Sequence, residues 1–127
     1  MFNALTNAYN NAATNVGLLT LEDGTEISKN KQPLRIIPCG QAFQNARATT
    51  MFYSTFNDGK TPKLNRDGYH ASFIHGRYLL GAVWYEAITG RNISANTYNP
   101  GATTDELNVL KQAAHDAVIQ FGWQVTQ

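Results

Sequence analysis

Leu64-Asn65-Arg66-Asp67-Gly68-Tyr69-His70-Ala71-Ser72 is a polar, glycine-bearing turn that feeds a helix ending at Gly90. It sets a carboxylate three residues before an imidazole, at the mouth of that helix. A histidine acts as general base toward a hydroxyl only when its tautomer and ring orientation are fixed. A carboxylate accepting from Nδ1 fixes both and stabilises the imidazolium that forms. One loop can carry both groups if it turns tightly, and Gly68 allows the bend. Asp67 and His70 are therefore the candidate acid and base. Spacing alone favours a plain turn with a helix-entry histidine, with catalysis at about one in five, because Asp-x-x-His arises by chance in roughly one chain in ten of this length.

The elements on either side are read from period and punctuation. Ser72 is suited to cap the helix after His70. Phe73, Gly76, Leu80, Val83, Trp84, Ala87 and Ile88 form its expected apolar stripe, and Gly90 its stop. After a loop over 91–102, Thr103 and Glu106 make a capping box for a helix reaching about Phe121, with Gly122 as terminator. Upstream, Leu5, Ala8, Tyr9, Ala12, Ala13 and Val16 recur at helical steps over 3–16, with Gly17 as the residue just past the end. Asp23-Gly24 between apolar runs predicts a small two-stranded ribbon with a type I′ turn. Leu34-Arg35-Ile36-Ile37-Pro38 is short, β-branched and non-alternating, which predicts one buried strand of a parallel sheet. A short helix is expected over 41–48, and 49–62 is aromatic-rich and irregular around Asn57-Asp58-Gly59. The expected class is α/β, helix-rich, with one core parallel strand and a small hairpin. That strand lacks evident neighbours, although a strand cannot satisfy its backbone groups alone.

The 127 residues suggest one domain over 1–127, and a 43% hydrophobic share permits a core. A net charge of +1 with scattered Lys and Arg argues against a nucleic-acid partner. No stretch has the roughly 18 apolar residues of a membrane span. Met1-Phe2-Asn3-Ala4-Leu5 does not open a signal peptide, so an export signal would have to lie upstream, and the compartment stays open. The lone Cys39 excludes an intrachain disulfide and is best read as a small apolar residue. His75 is out of step with His70 for metal sharing, so no metal is expected. His115 is expected on the solvated face of the last helix.

The strings 64–72 and Gly76-Arg77-Tyr78-Leu79-Leu80-Gly81-Ala82-Val83-Trp84-Tyr85-Glu86-Ala87-Ile88-Thr89-Gly90 resemble the C-terminal block of SGNH hydrolases, the GDSL esterase and lipase superfamily. They are most similar to its bacterial branch DUF4886. Ile36-Ile37-Pro38-Cys39-Gly40-Gln41-Ala42-Phe43 resembles the last core strand and the turn after it. The resemblance implies the C-terminal part of a three-layer α/β/α, flavodoxin-like fold. It makes His70 the general base and Asp67 its orienting acid. It also implies hydrolysis of small acyl esters, including those on carbohydrates, without a cofactor. The family's nucleophile lies in a Gly-Asp-Ser or Gly-Asn-Ser turn near the domain's start, and neither tripeptide occurs here. Ser28, Ser54, Ser72 and Ser94 lack that setting, and Ser72 reads as a cap. Tyr69, next to the base, is a candidate wall of the substrate cleft. A competing expectation is a non-enzymatic binding module that has lost the nucleophile and forms a homo-oligomer through its unpaired strand.

Overall fold

The computed structural model describes residues 2–52 and 62–126; the expected Asn57-Asp58-Gly59 turn and Ser54 fall outside them. The chain divides into two units, Met1–Ile36 and Ile37–Gln127.

The second unit is built on three helices: α2 (Cys39–Arg47), α3 (His75–Thr89) and α4 (Thr104–Gln120). α4 begins as its capping box requires. The Glu106 amide donates to Thr103 Oγ1, and the Thr103 amide donates to Glu106 Oε2. Its inward face is Leu110, Ala113, Ala114, Ala117 and Val118, all buried. The small alanines let α2 approach closely, and Asn45 Nδ2 donates to the Ala113 carbonyl at 3.2 Å. α3 stops at Gly90, whose φ of 66° is the left-handed cap, with its amide on the Glu86 carbonyl. The core gathers Ala42 and Ala46 of α2, Leu79, Ala82 and Val83 of α3, and that face of α4, together with Phe52, Leu64 and Ile93.

The face of α3 differs from the expected stripe. Gly76, Tyr78, Leu79, Ala82, Val83, Glu86 and Ala87 are buried, while Phe73, Trp84 and Ile88 are exposed. The stripe is rotated so that a carboxylate, Glu86, lies at its centre. Ser72 still serves the helix start from further back: its hydroxyl accepts from the Gly76 amide at 2.9 Å.

The expected strand over 34–38 does not form. Its segment is irregular, and the Leu34 amide donates to the Ala13 carbonyl of the helix before it. Pro33 and Pro38 offer no N–H to a ladder. The run ends in a three-residue turn in which the Cys39 amide reaches the Ile37 carbonyl across Pro38, and α2 starts at once. Among the described residues there is no sheet, only three isolated bridges. The fold is helix-rich and compatible with the α/β class.

In the first unit, α1 (Phe2–Gly17) includes Gly17 instead of stopping before it. A Cβ on Gly17 would sit 2.1 Å from the Gln32 carbonyl oxygen, so this glycine serves close backbone approach and not a left-handed cap. The expected ribbon contracts to one antiparallel bridge, Thr20 with Glu26. Its loop has three residues: the Leu21 amide donates to the Thr25 carbonyl, and the Gly24 amide to that of Leu21. Only Gly24 has positive φ (86°), so the turn is not type I′, which needs two such residues. Leu5, Tyr9 and Val16 of α1 remain exposed.

Candidate active site

Residues 64–72 fold back on themselves. Asn65 and Ala71 form an antiparallel bridge, the Ser72 amide donates to the Leu64 carbonyl at 2.7 Å, and the Arg66 amide to the His70 carbonyl at 3.0 Å. Leu64 is fully buried and roots the loop in the core. Arg47, at the end of α2, donates to Asn65 Oδ1 and ties down the other side. Gly76 lets α3 press against the loop: a Cβ there would fall 2.1 Å from the Leu64 carbonyl oxygen.

Within this frame Asp67 organises the turn. Its Oδ1 accepts from the amides of Tyr69 (3.0 Å) and His70 (2.7 Å), and its Oδ2 lies 2.7 Å from His70 Nδ1. The bend expected from Gly68 is held by this Asx-type bonding, since Gly68 is not among the glycines with positive φ. The amides of His70 and Tyr69, followed by the His70 imidazole, lower the Asp67 pKa from 3.8 to about 2. Asp67 is therefore a carboxylate at any ordinary pH and accepts from Nδ1–H. The basic lone pair of His70 then resides on Nε2. The His70 side chain is about half exposed.

Tyr69 is 82% exposed, and its ring leans on the imidazole with centroids 4.4 Å apart. Phe73 is exposed on the same loop, with the guanidinium carbons of Arg66 and Arg77 4.8 Å and 4.6 Å from its ring centre.

The serines are placed otherwise. Ser72 Oγ donates to the Lys63 carbonyl at 2.6 Å while accepting from Gly76, so both its functions are structural. Ser94 lies on a cleft of about 270 Å³ lined by Asn92, Asn108, Lys111, Gln112 and His115. Burial pushes the Cys39 thiol pKa up, against a thiolate nucleophile. Among the described residues no three of His, Cys, Asp and Glu gather to hold a metal ion.

The other two histidines have carboxylate partners. His75 packs edge-on to Phe52, its Nε2 3.1 Å from Glu106 Oε2. That approach lacks hydrogen-bond alignment, leaving Nε2 without a directed partner. His115, expected to be solvated, has Nδ1 3.1 Å from Oε2 of the fully buried Glu86. Glu86 Oε1 also accepts from the Ile93 amide at 2.7 Å. One carboxylate thus joins α3, α4 and the 3₁₀ turn Ile93–Ala95. A signal for it exists in the sequence: Glu86 follows Leu79 and Val83 at helical steps on an apolar face, and a carboxylate there needs a partner.

A family model described as a domain of unknown function (DUF4886) matches residues 8–117. The chain belongs to that family. No curated protein and no solved structure matches it.

Proposed function

We propose that this member of the DUF4886 family provides the acid–base pair of a serine ester hydrolase, with His70 as general base and Asp67 as its orienting acid. The observation that carries the reading is the 2.7 Å contact between Asp67 Oδ2 and His70 Nδ1, with the same carboxylate pinned by two backbone amides. The likeness of 64–90 to the C-terminal block of SGNH hydrolases supports it.

His70 Nε2 takes the proton of a serine hydroxyl as the oxygen attacks the ester carbonyl. The imidazolium is stabilised by Asp67, which does not itself take the proton. His70 then protonates the departing alkoxide. A water, deprotonated by the same nitrogen, releases the acyl group and restores the serine. Ser72 is committed to the helix start, so the nucleophile comes from a separate turn. Tyr69 forms one wall beside the base. Small acyl esters, those on carbohydrates included, are the proposed substrates.

The test is hydrolysis of 4-nitrophenyl acetate by protein made from the complete reading frame. His70→Ala should lower kcat by at least about 10³-fold, and Asp67→Asn by a comparable factor, because each removes part of a cooperating unit. Unchanged turnover in His70→Ala excludes the assignment.

A second reading, a non-enzymatic binding module, draws on the first unit. Its described residues include one that is buried, Gly17, and exposed Leu5, Tyr9, Leu18, Leu19 and Leu21. Apolar surface of that kind favours a covering partner. Pairing through residues 34–38 loses its basis, because no strand forms there.

A further inference from the structure

We propose that Arg66 and Arg77, spread over Phe73 beside His70, bind an anionic group of the substrate, so that the ester cleaved is one bearing a free carboxylate. Assigning the anion to the substrate rests on the esterase reading; the anion site itself does not.

Two guanidiniums share one exposed ring, with Cζ atoms 4.8 Å and 4.6 Å from its centre. Like charges brought to one ring repel unless an anion lies between or beside them. The carboxylate at hand, Asp67, is committed: one oxygen accepts two amides, and the other faces His70 at 2.7 Å and Arg66 Nε at only 3.8 Å. Arg77 has no carboxylate partner among the described residues. The cluster of Arg66, Arg77 and Asp67 therefore carries one unbalanced positive charge at neutral pH.

The position is set by backbone. Phe73 follows Ser72, whose carbonyl accepts from the Arg77 amide at 3.0 Å, so the ring and the arginine stay in register at the start of α3. Arg66 precedes Asp67. Both guanidiniums thus meet on one ring beside the loop that carries the base. Exposed cation–π contacts are weaker than charge-assisted pairs, so each arginine can swing from the ring to an incoming carboxylate. Arginine's planar fork suits a carboxylate better than lysine would. The bound charge holds the acyl or alcohol portion beside Tyr69 and His70.

The test titrates the 127-residue chain with monomethyl succinate, with uncharged dimethyl succinate and with inorganic phosphate. Arginine Nε–Hε and His70 Cε1–H resonances are followed by NMR. Monomethyl succinate should bind at least tenfold more tightly than the dimethyl ester and than phosphate. It should shift the Arg66 and Arg77 signals together, and the preference should fall at least tenfold in Arg77→Ala. Arg66→Gln, which keeps the chain polar and can be compared by its folded spectrum, should do the same. Equal binding of the two esters, a preference for phosphate, or a preference retained in both folded variants overturns the proposal. Anion preference in this chain, with no ester hydrolysis by protein made from the complete reading frame, leaves this site standing and removes the esterase reading. Hydrolysis with equal kcat/KM for both esters does the reverse.

Discussion

Replacing Gly76 with alanine adds one methyl group where the start of α3 meets the loop that carries Asp67 and His70. The new Cβ would lie 2.1 Å from the Leu64 carbonyl oxygen and 3.0 Å from Ala71 Cβ. The first obstacle is backbone, so rotamer change cannot relieve it. Contacts below 3.0 Å are essentially never seen, so the loop and helix must part by at least about 0.9 Å. The same oxygen accepts from the Ser72 amide at 2.7 Å, and Leu64 is fully buried. Losing that bond costs about 1 kcal/mol, and shifting a packed residue costs about 1–3 kcal/mol more. Against this, alanine in a helix gains about 1 kcal/mol over glycine. The net expectation is a loss of about 1–3 kcal/mol, read as a lower urea midpoint at unchanged slope. The Ser72 amide should also lose hydrogen-exchange protection. A variant as stable as wild type, with Ser72 still protected, would show that the helix and loop do not need this close approach.

Further outcomes follow from the same geometry. The Asp67 carboxyl, followed by ¹³C NMR, should titrate with a midpoint at about 2, because the amides of His70 and Tyr69 hold its charged form. Its folded pKa lies below the unfolded value of 3.8, so its contribution is full above about pH 4 and is lost as pH falls toward 2. A midpoint near 3.8 would mean that those bonds are absent. Leu110→Ala, at a fully buried site, should cost about 2–5 kcal/mol by urea unfolding; less than 1 kcal/mol would contradict the shared helix core. Glu86→Ala should cost about 2–4 kcal/mol because it strands the buried Ile93 amide and leaves a cavity, whereas Glu86→Gln should lose less. Equal losses would show that the Ile93 bond contributes nothing.

The parts that could be read from the chain are those determined by near neighbours. α4 is fixed by Thr103, Glu106 and Gly122, all within a turn of its ends, and it lies where expected. The Asp67–His70 pairing spans three residues and was visible for the same reason. Residues 34–38 show the limit: strand pairing depends on distant partners, and the described chain supplies none. Phe73 and Trp84 differ from expectation because an aromatic residue in a helical stripe looks like core, while both stay exposed and Phe73 meets two guanidiniums instead. His115 meets Glu86 across 29 positions, beyond any local pattern.

The measurement closest to the Asp67–His70 assignment is covalent labelling of protein from the complete reading frame with a fluorophosphonate, located by mass spectrometry. Such probes modify a serine only when a base activates it. Labelling of one serine in a strand-to-helix turn, lost in His70→Gln and in Asp67→Asn, is the predicted result. No labelling, or labelling that survives both substitutions, would contradict a hydrolase built on this pair.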